Sequence, residues 1–560
     1  MFKGHPRGLF VMFAANMGER FGFYTMVSIF VLFLQAKYGM TAGASGLIYS
    51  TFMFGVYFFP LLGGFLADRV LGYGRTVSIG FVTMFLGYVL LSLPSAIESG
   101  LGLVIAALAV IALGTGLFKG NLQALVGNLY DEPRYGPLRD RAFNIFYMGI
   151  NIGAMFAPTA SEKVSNWILS ASHYFYDARI PAMANGFLKG TLADAAEYLP
   201  IAQAQDPAVT LGTLKTFSES YLNALSKSYH YGFAVALVSL LISMAVFWGF
   251  RKTYRHADLS EKQKAKSEAH KGQLVELTPQ ETRERLIALG LVFFVVIFFW
   301  MAFQQSAVTM MFFARDYTVP HVGKVSNLWF DLAGLLPLFL AVVGLVFLLR
   351  KGSRPGTRLA GGLSFAAFGA LAYLRFRGYA DVNPFQPQRF QHFNPFFIVA
   401  LTPLVIGVFA ALNRRGKEPS SPRKIGFGMI LTAVAFSILV VGSIGLPSPK
   451  SLGGLVAPAS AQVSVYWLIS TYFLITIAEL FLSPIGISFV SKVAPPKHKG
   501  LMQGGWFAST AIGIQLVGVG AYLWMRIPLW TLWAILVTAC LLSAAFMFAV
   551  MRRLEKAAGA

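Results

Sequence analysis

A chain of 560 residues in which 56% are hydrophobic and only 12% are charged has a mean hydropathy of +0.61. That is too little charge for a water-soluble fold, where charged residues make up about a quarter. The formal net charge of +22 sits in short basic clusters between apolar runs, so it does not form the single face that nucleic-acid binding needs.

The first apolar run, 9–35, is longer than a signal-peptide core, carries Glu19 and Arg20, and is followed by no small-residue cleavage site, so it is expected to stay in the mature protein. A spanning helix needs about 20 mostly apolar residues, which predicts spans at 9–35, 46–68, 75–95, 100–127, 140–160, 229–250 and 285–313 in the first half of the chain. The second half adds 327–349, 358–377, 394–413, 425–446, 464–490, 500–525 and 528–550, about fourteen in all. With the N-terminus inside, the segments Asp68 to Arg75, Arg134 to Arg141, Arg251 to Arg285, Arg350 to Arg358, Arg414 to Lys424 and Lys492 to Lys499 all fall on the cytoplasmic side. That is the positive-inside pattern, and it places both termini in the cytoplasm. Two stretches interrupt the rhythm. Residues 160–228 read as a folded extracytoplasmic loop, and 251–284, rich in Lys, Glu and Gln, read as a solvated helical linker joining two halves.

A charge near a span end can snorkel to the surface, but one in mid-span costs roughly 2.5–3.5 kcal/mol and marks a functional site. Glu19, Arg20, Lys119 and Glu479 lie in mid-span. Opposite charges sharing one cavity stabilise each other, and a carboxylate beside them can exchange a proton when a ligand changes the local field. The alternative is that these charges only pin helices together, and the two roles are compatible. The single cysteine, Cys540, allows no disulfide framework or thiolate metal site and is read as lipid-facing or packed. Gly43-Ala44-Ser45-Gly46 has the look of a membrane-protease serine motif, but a serine nucleophile needs a base within hydrogen-bond reach. All eight histidines are placed in loops or at span ends, so Ser45 is read as a helix N-cap or turn residue. No His-Glu-x-x-His pattern and no paired intramembrane aspartates occur, so an enzyme is not expected.

The turn Gly64-Phe-Leu-Ala-Asp68-Arg69, followed by Gly72 and Arg75, resembles the conserved loop of the major facilitator superfamily. Further blocks resemble its proton-dependent oligopeptide transporter family. Asn16-Met-Gly-Glu19-Arg20-Phe21-Gly-Phe23-Tyr24 is similar to a Glu-x-x-Glu-Arg-Phe-x-Tyr-Tyr motif, with Asn16 and Phe23 replacing its first Glu and first Tyr. Gly114-Thr-Gly-Leu-Phe-Lys119-Gly-Asn121 keeps the family lysine, with Gly120 in place of a proline. Phe143-Asn-Ile-Phe-Tyr147-Met-Gly-Ile-Asn151-Ile-Gly153 matches the family signature without a gap. Phe299-Trp300-Met-Ala-Phe303-Gln304-Gln305 has Gln304 where the family has Glu, and Asn394-Pro395, Glu479 to Gly486 and Gly505-Trp506-Phe507 recur in family order.

The resemblance implies an all-α membrane protein of the major facilitator fold, with two six-helix bundles plus an inserted helix pair at about 327–377. It divides the chain into an N-terminal bundle (1–250, with loop 160–228), a linker (251–284), a C-terminal bundle (285–550) and a cytoplasmic tail (551–560). The implied function is secondary active transport of di- and tripeptides across the cell (inner) membrane, as proton-coupled symport by alternating access. By the same resemblance, Arg20, Lys119 and Asn151 would meet the peptide carboxylate and backbone, Glu479 and Asn394 the amino end, and Tyr24, Tyr57, Trp300 and Trp506 the side chains. Asp68, Arg69 and Arg75 would form the conformational loop. Charge placement supports a zwitterion independently, because cations lie in the first half and an anion in the second. Asn16 and Gln304 cannot carry a proton, which leaves Glu19 and Glu479 as the family-motif carboxylates in mid-span, with Asp331 a weaker third candidate nearer a membrane surface; Glu19, paired with Arg20 and Lys119, is the proposed proton site. The implied partners are a small peptide, protons and the lipid bilayer, with no nucleic acid, metal or cofactor. An uncoupled carrier or exchanger of another small zwitterion or anion, and a non-transporting peptide sensor, remain open alternatives.

Overall fold

The computed structural model describes residues 4–93, 100–132, 134–258, 278–495 and 499–558. Its first half begins with α1 (Arg7–Tyr38), which starts after Pro6 and stops at Gly39, whose φ of +56° is a left-handed helix terminus. The chain re-enters as α2 (Ala42–Phe58), capped by the Thr41 hydroxyl accepting from the Ala44 N–H. Pro60 then opens α3 (Pro60–Leu66), where its missing N–H costs nothing. A π-helical turn, Ala67–Leu71, and Gly72 at φ +79° reverse the chain into α4 (Tyr73–Ser92). Next come α5 (Gly100–Asn128), α6 (Arg139–Ser170), the short α7 (Ile180–Leu188) and α8 (Ala195–Gln205), and the long α9 (Leu214–Gly249).

The second half opens with α10 (Pro279–Phe303), whose Thr278 and Glu281 form a reciprocal capping box. It continues through α11 (Thr309–Asp316), α12 (Lys324–Phe330), α13 (Leu332–Leu349) and α14 (Pro355–Arg377). After these come α15 (Phe393–Arg414), α16 (Ser421–Gly442), α17 (Tyr466–Val493), α18 (Lys499–Gln515), α19 (Val517–Trp524), α20 (Leu529–Ala549) and α21 (Met551–Ala558). A two-stranded antiparallel ribbon, His321–Val322 with Asn383–Pro384, ties the base of α12 to the end of the α13–α14 excursion.

Thirteen helical runs among the described residues are long and apolar enough to cross a membrane. The fourteenth expected span, α6, is 32 residues long but carries Arg139, Arg141, Glu162 and Lys163. Its charges are accommodated because its neighbours are protein: it packs against α1, α9 and α15. In the first bundle α1 lies against α6 and α9, and α4 against α5; in the second, α16 packs on α17 and α20. Small residues permit these close crossings. A side chain at Gly63 would overlap the Gly116 carbonyl, and one at Gly46 would overlap Ala521 where α2 of one bundle meets α19 of the other. α13 and α14 pack chiefly on each other, as an even-numbered insertion that leaves the topology of the later helices unchanged.

Several expected boundaries differ. The stretch 160–228 is largely helical: α6 runs ten residues past its expected end and α9 begins fifteen residues early. The extension places His230 inside α9, fully buried, instead of at a span end; its Nδ1 bonds the Leu91 carbonyl and its Nε2 the Lys37 ammonium. Ser45 is not the cap of α2. Thr41 is, and the Ser45 hydroxyl donates back to the Thr41 and Ala42 carbonyls and accepts from Gln35. The span expected at 327–349 breaks at Asp331, whose extended backbone and carboxylate cap α13. The spans at 285–313 and 500–525 break at Gln304–Ala307 and Leu516. Of the expected helical linker, 251–258 forms two 3-10 turns, α10 begins at Pro279, and 259–277 lie outside the described residues. Cys540 is packed and buried.

Candidate functional site

In α1, Glu19 and Arg20 are adjacent and both buried. The guanidinium grips the carboxylate through two bonds, Nε to Oε2 at 2.5 Å and Nη2 to Oε1 at 2.6 Å. Such a two-pronged pair offsets much of the desolvation that each charge suffers. The guanidinium also lies 4.7 Å from the centre of the Phe23 ring. One turn back, Asn16 is buried with its amide nitrogen unbonded among the described residues, so the position that the family fills with glutamate here offers a neutral donor.

Lys119 projects from α5 over the face of Tyr57 of α2, its ammonium 3.6 Å from the ring centre. No carboxylate lies within salt-bridge distance of it among the described residues. A cation held by an aromatic face alone keeps its charge available to a ligand. The segment carrying it is fixed by Asn121, whose side chain donates to the Gly63 carbonyl of α3 at 3.0 Å.

In the second half, the Asn394 amide in the first turn of α15 donates to Glu479 Oε2 at 2.8 Å and to the Thr476 hydroxyl at 3.1 Å. Glu479 and Thr476 are three apart on α17 and so share a face. Glu479 has no cationic partner among the described residues, the counterpart of Lys119 on the opposite bundle. Tyr24, Tyr57 and Tyr147 each lie within electrostatic range of Glu479, and Tyr24 and Tyr57 also of Arg20; Lys119 lies within range of Arg20 and Glu19. The structure thus brings Glu19, Arg20, Tyr24, Tyr57, Lys119 and Glu479 around one space, with Asn394 and Asn151 at its wall. Asn151 donates to the Tyr147 carbonyl one turn back.

The direct contacts of Trp300 and Trp506 are with their own half. Trp300 packs edge-on against Phe299 and Phe303, with its indole N–H unbonded among the described residues. Trp506 is buried over Gly486, where any side chain would overlap its ring. Gln304 sits half-buried in the 3-10 turn ending α10. Asp331 pairs with Arg375 and Tyr379 of the inserted pair instead of with the cavity charges. In the turn between α3 and α4, Asp68 accepts from the Tyr73 hydroxyl at 2.6 Å, Arg69 lies over Phe65, and Arg75 is exposed. Among the described residues, no ion pair joins Asp68 to Arg75.

Sequence reasoning quoted Tyr147 within a motif without assigning it a role. It is 39% accessible and stands within range of Glu479, Tyr24 and Tyr57. Thr476 was also missed, although its spacing from Glu479 was a usable signal.

Two bundles of membrane-crossing helices with an inserted pair are the architecture of a major facilitator transporter. The sequence pattern of the POT family is matched over residues 74–269 and 381–529, and the chain belongs to that family. It is 28% identical to the "Uncharacterized transporter YclF" of Bacillus subtilis, over 92% of this chain and 89% of that one. It is 25% identical to "Dipeptide and tripeptide permease A" of Edwardsiella piscicida, over 92% and 85% respectively. Among solved structures it resembles peptide transporter POT in complex with sulfate, with a TM-score of 0.66 and 22% identity over 100% of this chain and 96% of that one. A POT family transporter in complex with 5-aminolevulinic acid gives 0.66 at 18% identity, over 99% and 98%.

Proposed function

We propose that this protein is a secondary active transporter of di- and tripeptides in the cell (inner) membrane, working by alternating access with both termini in the cytoplasm. One observation carries the reading: a lysine without a carboxylate partner on one bundle and a glutamate without a cation on the other, both judged among the described residues, are each close to Tyr57. A peptide zwitterion satisfies both, its carboxylate at Lys119 and its ammonium at Glu479, and in doing so links the two bundles that must rock. Arg20 and Asn151 contribute to the carboxylate end, Asn394 orients Glu479, and Tyr24, Tyr57, Trp300 and Trp506 shape the side-chain space. The permease relative named above supports the same substrate class.

Glu19 is the proposed proton site, because Asn16 and Gln304 cannot titrate. Its bidentate bond to Arg20 supplies a link to the substrate: a carboxylate that draws Arg20 away removes the partner of Glu19. Residues 1–250 and 285–550 act as the two rocking halves, with Asp68, Arg69 and Arg75 in the turn that remodels between states. Dipeptide uptake into proteoliposomes, with and without an inward proton gradient, tests substrate and coupling together. Uptake unaffected by collapse of the gradient would make the protein a facilitator or exchanger, and absence of dipeptide counterflow would make it a sensor. Transport of 5-aminolevulinic acid in place of dipeptide would favour the small-zwitterion alternative.

A further inference from the structure

The bundles touch at the face opposite the basic clusters, which is the outer face in the orientation proposed above. There α6 presents Glu162 and Asn166, four residues apart and so on one side of the helix. Both reach the C-terminal half. Arg389 Nε bonds Glu162 Oε2 at 2.6 Å, with the two side chains 17% and 4% accessible, and Gln386 Nε2 bonds Asn166 Oδ1 at 2.5 Å. Arg389 and Gln386 belong to the segment leading into α15, whose 3-10 turn, Pro387–His392, has little intrinsic stiffness.

What stiffens that turn is the base of the inserted helix pair. Arg389 Nη1 approaches the Phe330 carbonyl at 3.4 Å, and His392 Nε2 bonds the Trp329 carbonyl at 2.9 Å. The Phe330 ring stacks on Phe385 at 4.3 Å and meets Phe390 edge-on at 5.1 Å. The pair itself is closed at its root, where Asp331 caps α13 and accepts from Arg375 of α14 at 2.6 Å and from Tyr379 at 2.9 Å. A continuous set of contacts therefore runs from Arg375 through Asp331 and Phe330 to Arg389 and on to Glu162 of the opposite bundle.

We propose that the inserted helix pair is a brace for an outer latch: it holds Arg389 on Glu162, and that bridge with Asn166–Gln386 keeps the outer side of the cavity shut. The proposal rests on the alternating-access reading. A buried carboxylate and guanidinium satisfy one another only while the halves touch, so parting them costs most when both charges are present. The pair packs chiefly on itself and on α12, and it meets the rest of the molecule mainly at its root, with one further edge-on contact of Phe339 on Phe396 of α15 at 5.8 Å.

The test is the rate at which a membrane-impermeant maleimide, added outside right-side-out vesicles, labels Y147C in a C540A background. E162Q, R389Q and the E162Q/R389Q double variant are each expected to raise the rate threefold or more. R375A/Y379F, which touches neither α6 nor Arg389, is expected to do the same. The double variant leaves no orphaned charge, so parental labelling in it would overturn the latch; parental labelling in R375A/Y379F would overturn the brace. Labelling needs no substrate. A labelling response of this kind, together with failure of the parental protein to take up dipeptide, would refute the transport reading and leave the latch standing.

Discussion

Lys119 and Glu479 are the residues on which the substrate assignment turns. Each is ionisable, each lacks an ion-pair partner among the described residues, and they stand on different bundles. A hydrogen bond to a charged group contributes about 1.5–3 kcal/mol, so K119Q is expected to weaken dipeptide uptake at least about tenfold. K119R, which keeps the charge, is expected to retain part of it; equal uptake by K119Q and the parent protein would remove Lys119 from the site. E479Q is expected to abolish the preference for a free amino terminus, read by competition between a dipeptide and its N-acetyl form. An unchanged preference would assign the amine elsewhere. The charges were legible in the sequence because a mid-span charge is costly enough to need a reason. Tyr147 was not, since a tyrosine facing a polar cavity and one facing lipid are written identically in a helix, and only the placement of α6 against the opposite bundle separates them.

At the scale of elements, the crossing of α3 with α5 depends on glycine. A Cβ at Gly63 would overlap the Gly116 carbonyl and disturb the Asn121 bond that positions the segment carrying Lys119. G63V is therefore expected to cost about 1–3 kcal/mol through overpacking, measured as a lowered unfolding temperature in detergent. A second expectation concerns the basic face of the C-terminal bundle. The Lys424 ammonium at 2.5 Å, followed by the Asn413 amide, holds the Glu418 carboxyl below its usual range. The Ser420 hydroxyl, followed by Arg423, does the same for Glu555 on α21. A depressed folded value means stability that is present above the ordinary carboxylate range, about 4.3 for glutamate, and is lost as pH falls through the lower folded value. The unfolding temperature should drop on acidification below about pH 4, and less steeply in E418Q/E555Q. Helix existence was legible from apolar runs, whereas helix ends were not. The early start of α9 and the late end of α6 follow from packing outside the apolar core, where hydropathy gives no signal, and this is why His230 was misplaced.

For the molecule as a whole, the decisive expectation is that an inward proton gradient accelerates dipeptide uptake and that E19Q removes the acceleration while leaving counterflow in place. Loss of both would make Glu19 structural, a support for Arg20. Composition, hydropathy and the spacing of a few charges determined by themselves that this is a polytopic helical membrane protein, and the motif blocks pointed to its family, because each depends on local chemistry alone. Which charges pair was decided only by the tertiary structure. It set Glu162 against Arg389 and gave Lys119 and Glu479 no ion-pair partner among the described residues, because partners on different helices are chosen by packing geometry and not by their positions along the chain.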